Sequence, residues 1–303
     1  MSEIYKQSGV DKDEAKALYK ILQSKLRNKT IGSFTGAANF KDKYVVSCTE
    51  GIGSKVIPLY AKKRYKTIAN DVVAANLNNL CTQKSTLISF SDYIATNKLN
   101  SAAISEIIIN IEHELIKYDC ELTGGETSEL PDVIKENNIA ISGTAIGIAD
   151  SLPLNEKYSG SLIIGLKSNG IHSSGFSVIR KLYKEKQLTD SDFEEALKPS
   201  YNYYNAVNKL WTANLIKSAA NITGGGINEN ILRIIPEKRA FNTDFSTIPS
   251  QKIYEKLKSV LGSEMYQIFN CGVGFCVVAD RADKEIIFDI CQEFEPFEFG
   301  EVI

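Results

Sequence analysis

The sequence has almost no excess of charge of either sign and only two histidines. Its 35 lysine and arginine residues against 37 aspartate and glutamate residues leave a formal net charge of −2. This balance argues against a partner that is recognised through bulk charge, such as nucleic acid or an anionic membrane. The six cysteines form no C-x-x-C pair and do not cluster with the histidines. Their spacing argues against a zinc site and predicts buried free thiols in a reducing compartment.

Long hydrophobic runs are also missing. No apolar run approaches 18 residues, the length that a membrane-spanning helix needs. The first residues, MSEIYKQSG, lack the apolar core of a signal peptide. We therefore expect a soluble cytoplasmic protein without a membrane span.

The chain is long enough to bury a large core. It has 303 residues, of which 43% are hydrophobic, and this length favours two domains. Short β-rich runs alternate with helical periodicity in both halves, which predicts an α/β (α+β) fold. Residues 151–160, SLPLNEKYSG, place proline, glycine and polar residues between two apolar strands and are the best candidate linker. We predict one domain over residues 1–154 and a second over residues 155–303.

Periodicity and turn signals place the main elements. Helices are predicted over residues 11–26, with Asp11 as the N-cap, and over residues 70–80 and 101–118. Strands are predicted over residues 44–48, 87–90, 138–150, 161–166, 274–279 and 297–303.

Four segments share one design, in which a short apolar run leads into small residues and then into a predicted helix. They are CTEGIGSKV (48–56), LTGGETSELP (122–131), LKSNGIHSSGFS (166–177) and ITGGGINEN (222–230). Glycine allows positive φ and close backbone approach, so successive N–H groups can converge on an anion. Each segment alone is typical of an ordinary tight connection, but four together favour phosphate binding. None fits G-x-x-x-x-G-K-[ST] or G-x-G-x-x-G, the fingerprints of a P-loop and of dinucleotide binding.

Carboxylates accompany these segments. Five acids lie at predicted strand ends or helix starts, where they could hold Mg²⁺ against nucleotide phosphates: Glu50, Asp71, Asp92, Glu126 and Glu129. For any single acid, helix capping or a solvated surface is the alternative.

Two basic side chains stand out near the same segments. Lys55 follows a glycine turn and could neutralise a phosphate, with a plain surface lysine as the alternative. His172 lies in a polar Gly/Ser/Asn loop, where acid–base chemistry and a structural role are both open. His113 falls in the middle of a predicted helix, and we interpret it as structural.

Seven segments, in order along nearly the whole chain, match the motifs of a known family. They are YKQSGVD (5–11), TEGIGSK (49–55), DYIATNKL (92–99), GGETSELP (124–131), SNGIHSSGFSVIRK (168–181), TGGGINENILRIIP (223–236) and EMYQIFNCGVGF (264–275). On these segments the chain resembles aminoimidazole ribonucleotide synthetase (phosphoribosylformylglycinamidine cyclo-ligase) of purine biosynthesis. The first and last of them are specific to the cyclo-ligase within a superfamily of ATP-using enzymes that includes selenophosphate synthetase and thiamine-monophosphate kinase.

The resemblance implies a two-domain PurM-like fold and an obligate homodimer, in which the N-terminal sheets of two subunits pair into a barrel. It implies that the two T-G-G segments belong to the two halves of one cleft for phosphorylated ligands. The implied reaction uses ATP and Mg²⁺. ATP phosphorylates the formyl oxygen of formylglycinamidine ribonucleotide, and the amidine nitrogen then attacks that carbon. The products are aminoimidazole ribonucleotide, ADP and phosphate.

The resemblance also implies roles for individual residues. Catalytic roles fall on Lys55, Asp92, Glu126 and His172. ATP binding falls on Gly51, Gly53, Ser54, Asp71, Gly124, Gly125 and Thr127, and metal binding on Glu50 and Asp71. Substrate binding falls on Ser173, Thr223, Gly224, Gly225, Gly226 and Asn270.

The chain departs from the family pattern in two places. The family usually shows T-D-G where this chain has Glu50 between Thr49 and Gly51, and it shows D-x-x-x-x-G-A-x-P where residues 79–87 read NLCTQKSTL. Asn79 therefore stands in the place of an acid and removes a charge from the implied metal–nucleotide site. On this basis we expect a raised Mg²⁺ requirement, which Asn79→Asp should lower.

Two alternatives remain open at this point. The first is a catalytically impaired ligand-binding homologue, which Asn79 and Lys84 motivate. The second is a small-molecule kinase of the same superfamily, although the segments YKQSGVD and FNCGVG argue against it.

Overall fold

The computed structural model describes residues 3–27, 33–153, 158–236 and 239–303. Its strands form two five-stranded sheets, one from strands that end by residue 149 and one from strands that begin at residue 162. The predicted domain boundary near residue 155 lies outside the described residues.

The first sheet has the strand order β1-β2-β5-β3-β4, in which β3 and β4 pair in parallel and the other neighbours pair antiparallel. Its strands are β1 (Gly36–Phe40), β2 (Lys43–Gly51), β3 (Thr86–Thr96), β4 (Leu122–Glu129) and β5 (Ile139–Ala149). The helices of this half are α1 (Glu3–Gln7), α2 (Lys12–Lys25), α3 (Val56–Ala61), α4 (Tyr65–Leu80) and α5 (Ser101–Ile116). A 3₁₀ turn, Gly53–Lys55, joins β2 to α3.

The second sheet is antiparallel, with the order β7-β9-β6-β10-β8. Its strands are β6 (Leu162–Lys167), β7 (Ser218–Asn221), β8 (Phe241–Thr243), β9 (Val273–Ala279) and β10 (Phe297–Val302). The helices are α6 (Phe176–Lys184), α7 (Asp190–Ala196), α8 (Tyr204–Thr212), α9 (Gly226–Leu232), α10 (Lys252–Leu261) and α11 (Lys284–Ile290). Short 3₁₀ turns cover Phe245–Thr247, Gly262–Gln267, Arg281–Asp283 and Gln292–Phe294.

The two sheets differ in how many of their faces are buried. Along β5 the residues alternate, with Ile141 and Ala145 buried and Ser142 and Thr144 half-buried, because successive side chains of a strand point to opposite faces. The buried face packs on α4, whose Val72 and Leu77 are fully buried. In contrast, all seven residues of β9 are buried. A continuous apolar run of this kind is typical of a strand that is covered on both faces.

Most of the predicted elements are confirmed. Helix α2 begins after Asp11, whose carboxylate accepts hydrogen bonds from the backbone N–H groups of Asp13 and Glu14. The six cysteines are free and buried, as predicted. Helix α4 begins at Tyr65, five residues earlier than expected, since Ile68 and Ala69 are fully buried and extend its apolar face. Within the described ranges, no helix is both long and apolar enough to span a membrane.

The prediction for residues 122–131 was wrong. These residues do not form a turn that opens a helix; they form β4, an edge strand that pairs in parallel with β3 from Ser91 with Gly124 to Thr96 with Glu129. The neighbouring strand supplies hydrogen bonds that outweigh the low strand propensity of two adjacent glycines.

Candidate active site

A cavity of about 400 Å³ lies between the two halves of the chain. Three of the four predicted glycine segments reach it, together with α4 and the N-terminal segment. Its lining is formed by Tyr5, Val10, Glu50, Gly51, Gly53, Ser54, Ala75, Asn78, Asn79, His172, Ser173, Ser174, Gly175, Phe176, Ser177, Ser200, Asn221, Ile222, Thr223 and Gly224. A volume of this size fits one nucleotide-sized ligand.

The N-terminal segment is fastened along one side of the cavity. Tyr5 and Val10 line the cavity, and the Ser8 hydroxyl lies 3.0 Å from the Ser177 hydroxyl. Farther along, Lys12 Nζ donates to the Gln267 carbonyl at 2.6 Å. The segment YKQSGVD therefore contributes directly to the site.

Glu50 is the carboxylate that lines the cavity, and asparagines of α4 hold it in place. The Asn76 amide bonds both the backbone N–H and the carbonyl of Glu50, at 2.9 and 3.1 Å. Asn79 Nδ2 donates to Glu50 Oε1 at 2.9 Å, and Asn79 Oδ1 accepts from Asn221 Nδ2 at 2.8 Å. Partial burial raises the pKa of Glu50, while the hydrogen bond from Asn79 and the charge of Arg233 lower it. Asn79 thus links the two halves of the chain through its amide group.

Lys55 and Asp71 do not occupy the positions that the sequence predicted. Both side chains are completely buried, and Lys55 Nζ lies 2.7 Å from Asp71 Oδ2. Lys55 also donates to the Lys198 carbonyl at 2.6 Å, and Asp71 Oδ1 accepts from the Ser200 N–H at 2.7 Å. Burial lowers the pKa of Lys55, and the neighbouring Asp71 opposes that shift. The two charges neutralise each other inside the protein, and the predicted catalytic role of Lys55 and metal-binding role of Asp71 stay predictions.

Asp71 was expected at the start of its helix, and this expectation was wrong, because Asp71 is the seventh residue of α4. Together with its asparagine neighbours it binds the backbone of residues 200–203. Asn70 Nδ2 donates to the Ser200 carbonyl at 2.9 Å, and Asn78 bonds the Tyr201 carbonyl and the Tyr203 N–H, each at 2.8 Å. This face of α4 therefore fixes one wall of the cavity.

His172 lines the cavity but is buried, with 8% of its surface exposed. Its Nε2 accepts from the backbone N–H of Asn169 at 3.2 Å and, more weakly, of Tyr201 at 3.4 Å. Burial, with a smaller contribution from Lys55, lowers the pKa of His172 to about 3. The imidazole is therefore neutral at pH 7 and acts here as an acceptor that orders the surrounding loops. Its proposed catalytic role stays a prediction.

The second T-G-G segment works as a helix start. Thr223 and Gly224 line the cavity, and Gly225 is the N-cap of α9 with φ of 112°. Gly226 also has a positive φ, and a Cβ there would lie 2.0 Å from the Tyr266 carbonyl oxygen. Gly225 and Gly226 are thus required by the turn, and neither lines the cavity.

Asn270 was predicted to bind substrate, a role that stays a prediction, and its side chain lies outside the cavity lining. Its side chain is buried and fully engaged: Oδ1 accepts from Ser168 Oγ at 3.2 Å, from the Tyr254 hydroxyl and from the Gly272 N–H, while Nδ2 donates to the Gly170 carbonyl at 3.2 Å. Asn270 shapes the loop that carries His172, and it does not line the cavity.

The first T-G-G segment lies at a separate, smaller pocket of about 250 Å³. That pocket is lined by Asp92, Ile108, Leu122, Gly124, Gly125, Glu126 and Thr127. Asp92 pairs in register with Gly125, and a Cβ at Gly125 would lie 2.3 Å from the Asp92 carboxylate. Glycine is needed at position 125 to make room for this carboxylate. Glu126 is one residue farther along the strand, so its side chain points to the opposite face of the sheet.

Among the acids of the described residues, Asp92 has the surroundings that most clearly indicate a missing ligand. It is 7% exposed, its Oδ2 has no hydrogen-bond partner there, and burial raises its pKa to about 6. In the main cavity, the hydroxyls of Ser173 and Ser200 are also buried without a partner among the described residues. Buried polar atoms without partners are uncommon, and they indicate positions where a ligand supplies the missing hydrogen bonds.

The first sheet places Glu50 and Asp92 in one row. Glu50 pairs with Gly143 of β5, and Gly143 pairs with Asp92 of β3. The space above Gly143 is filled by Phe90 and Asn76, which separate the two acids. In the described ranges, no group of three or more His, Cys, Asp or Glu residues could hold a metal ion. Of the two metal ligands that the sequence predicted, Glu50 lines the main cavity and Asp71 pairs with Lys55, and their metal binding stays a prediction.

Two family models match the chain. The model described as "AIR synthase related protein, N-terminal domain" covers residues 35–149, and its C-terminal counterpart covers residues 159–303. The phosphoribosylformylglycinamidine cyclo-ligase of Prochlorococcus marinus (strain AS9601) is 33% identical over 329 aligned residues, which cover 99% of this chain and 95% of that protein. The chain belongs to the phosphoribosylformylglycinamidine cyclo-ligase family. The cyclo-ligase of Clostridium perfringens is likewise 33% identical, over 98% of this chain and 96% of that protein.

Solved structures share the fold of this cyclo-ligase family member at low identity. A HypE–HypF complex matches with a TM-score of 0.71 and 15% identity, over 94% of this chain and 92% of that chain. The structure of AaThiL complexed with AMPPCP and TMP matches with a TM-score of 0.68 and 14% identity, over 94% of this chain and 89% of that chain. These likenesses confirm the predicted mixed α/β two-domain fold.

Sequence reasoning singled out Asn79 as the replacement of an acid, and it missed Asn76, Asn78 and Asn221 around the cavity of this family member. Asn76, Asn78, Asn79 and Asn221 carry the contacts around Glu50 and across the two halves. The signal available was the amide-rich run over residues 70–79, NDVVAANLNN, in an otherwise apolar helix. Buried amides in such a helix indicate specific hydrogen-bond partners.

Proposed function

We propose that this chain catalyses the ATP-dependent ring closure of formylglycinamidine ribonucleotide to aminoimidazole ribonucleotide, with ADP and phosphate as the other products. The phosphoribosylformylglycinamidine cyclo-ligases that match over nearly the whole chain support this proposal. The structural observation that carries it is a cavity between the two halves, which gathers three glycine segments around buried serine hydroxyls that have no partner among the described residues.

One end of the cavity suits the phosphate of the ribonucleotide. Ser173 and Ser174 precede Gly175, the N-cap of the nine-residue helix α6, so hydroxyl and backbone N–H groups converge there. The start of a helix favours anions. The turn with Gly51, Gly53 and Ser54 lines the same cavity and offers further N–H groups to the same ribonucleotide.

The reaction places two demands on these residues. The formyl oxygen becomes a phosphate leaving group, and water must be excluded so that the activated carbon is attacked by the amidine nitrogen and not by water. The fastened N-terminal segment, through Tyr5 and Val10, closes one side of the cavity against solvent. The protein's main contribution is then orientation and charge compensation.

Magnesium would accompany the nucleotide and neutralise its phosphate charge. Mg²⁺ in nucleotide sites is commonly held by one or two carboxylates together with substrate phosphates. Asp92 fits this requirement, because its Oδ2 is buried without a hydrogen-bond partner among the described residues and it lines the pocket of the first T-G-G segment. We propose Asp92 as the metal-binding acid in place of Asp71.

A coupled assay of ADP release tests the proposed function. We expect release that requires formylglycinamidine ribonucleotide and that stops when this substrate is omitted. ADP release with thiamine monophosphate in its place would favour the small-molecule kinase. Binding of the ribonucleotide without ADP release would favour the catalytically impaired homologue.

We also propose a cytoplasmic homodimer. The open face of the first sheet carries Val45, Ser47, Ile146 and Ile148, and the neighbouring Tyr93 is 40% exposed. A contiguous face of apolar and small residues on an open sheet favours burial against another copy. The free buried cysteines are consistent with a reducing compartment.

Sedimentation at micromolar concentration tests the dimer. We expect the parent to sediment as a dimer and Ile88→Glu to sediment as a monomer, because Ile88 is 51% exposed on β3 and a charge there would be desolvated in the interface. Ile286→Glu is the matched control, since Ile286 is 53% exposed on α11 of the other half. A parent that is monomeric at this concentration contradicts the proposal.

A further inference from the structure

Glu50 presents a single free carboxylate oxygen to the cavity. Asn79 occupies Oε1, and within the described part of the chain no hydrogen bond reaches Oε2. The backbone on both sides of the carboxylate is fixed by Asn76, and Asn79 is itself fixed by Asn221. The free oxygen therefore has a defined direction before any ligand arrives, which is the preorganisation that a recognition group needs.

The surroundings of Glu50 offer little to a metal ion. Asn79 Oδ1 already accepts from Asn221, and Asn78 Oδ1 already accepts from the Tyr203 N–H. Asp71 is neutralised by Lys55 on another face of α4. One free carboxylate oxygen with occupied amide neighbours is a poor set for an ion that demands near-octahedral oxygen ligands. It is a good partner for an organic cation with an N–H donor.

We propose that Glu50, held by Asn79, binds the amidinium group of the substrate and accepts its proton during ring closure. This inference rests on the proposed function and assigns one of its recognition elements. The amidine of formylglycinamidine ribonucleotide is a planar cation with N–H donors when protonated. Its ribosyl-bearing nitrogen is also the nucleophile that closes the ring.

The proton balance of the step fits this assignment. As the amidine nitrogen forms its bond to the formyl carbon, the bond from that carbon to the phosphate oxygen breaks, and phosphate leaves with the bonding electron pair. The amidinium must lose a proton for the new ring to become neutral, and Glu50 Oε2 receives it and passes it to solvent. Oε2, whose direction is fixed by the contacts of Asn76 and Asn79, is positioned to accept this proton.

Ligand binding without ATP separates this inference from the proposed function. We would titrate the parent and Glu50→Gln with formylglycinamidine ribonucleotide and with formylglycinamide ribonucleotide, which carries a neutral amide in place of the amidine. The parent should prefer the amidine by about tenfold or more, since charge-assisted hydrogen bonds are the stronger ones. Glu50→Gln should lose about 10- to 100-fold in affinity for the amidine and less than about threefold for the amide. Glu106→Gln, on an exposed face of α5, is the matched control.

Kinetic measurements distinguish a role of Glu50 in proton transfer from a purely structural role. Glu50→Gln should lower kcat and remove the acidic limb of its pH profile, whereas Asn79→Ala should mainly raise KM for the ribonucleotide because Glu50 keeps its charge but loses its orientation. Equal losses for both ligands in Glu50→Gln, with parent activity intact, would overturn this inference and leave the proposed function standing. A parent that binds neither ligand overturns both.

The expectation that residue 79 lies at a metal site predicts a different Mg²⁺ requirement for Asn79→Asp. If Glu50 held the metal, Asn79→Asp would lower the Mg²⁺ concentration for half-maximal activity. With Glu50 facing the amidine, that concentration should stay unchanged in Asn79→Asp. A lowered Mg²⁺ requirement together with an unchanged amidine preference in Glu50→Gln would contradict our assignment.

Discussion

Replacing Asp71 by asparagine is expected to lower the free energy of unfolding by about 3–5 kcal/mol, the usual cost of removing one partner from a buried ion pair. Both Asp71 and Lys55 are completely buried, 2.7 Å apart. Asparagine would leave the Lys55 ammonium without a counter-charge in the interior, and it would also weaken the hydrogen bond from the Ser200 N–H. Denaturant unfolding of the apo protein, followed by circular dichroism, measures this loss.

A double variant separates the cost of an unpaired charge from the cost of lost packing. Lys55→Met with Asp71→Leu removes both charges, and it should recover a large part of the stability that Asp71→Asn loses. A nucleotide-binding role for Asp71 predicts a different pattern, with a stability change within about 1–2 kcal/mol and a specific loss of ATP affinity. Stability of Asp71→Asn within that range would show that the pair is not closed in solution.

Local sequence patterns predicted the helices and strands of this fold better than they predicted the contacts between them. The helical periodicity of residues 101–118 and the apolar run of β9 predicted α5 and β9, because these elements bury one face or both. Helix α2 was also predicted, although none of its residues is buried. Strand β4 was missed because its pairing with β3 overrides the turn propensity of adjacent glycines.

The sequence predicted which segments form the candidate site, but it did not predict several of the hydrogen-bond and ion-pair partners of the residues in it. Three glycine segments do converge, since each lies at the end of an element that borders the same cavity. The pairing of Lys55 with Asp71 was not visible, because a lysine after a glycine turn looks the same whether it faces a phosphate or a buried acid. The contacts of Asp71 and Asn78 to residues 200–203 join positions more than 120 residues apart. Only the folded structure brings such positions together.

Asp92→Asn is expected to stabilise the protein and abolish most of its activity. Burial raises the pKa of Asp92 to about 6, above its ordinary value of 3.8. The folded state therefore binds this proton more tightly than the unfolded state, so the stability that the group contributes is fully present below about pH 4 and is lost as the pH rises through 6. A shift of about two pKa units corresponds to about 3 kcal/mol. The parent pays this cost at neutral pH, and the neutral amide of asparagine avoids it.

The expected gain in the free energy of unfolding at pH 8 is about 1–2 kcal/mol, smaller than the full shift because the asparagine amide also needs buried partners. At pH 4 the order should reverse, because the parent carboxyl is then protonated while the asparagine amide still lacks buried partners, and Asp42→Asn, at an exposed turn, should match the parent at both pH values. ADP release by Asp92→Asn should fall about 10²- to 10³-fold, the usual cost of removing one electrostatic group from an active site. A charged group that destabilises the apo protein and is needed for turnover is explained by a bound cation that offsets its burial.

Gly125 makes room for that carboxylate, so Gly125→Ala should reproduce the loss of activity without removing the acid. If Asp92→Asn instead keeps parent turnover and gains no stability at pH 8, Asp92 is solvated in solution and the metal belongs elsewhere.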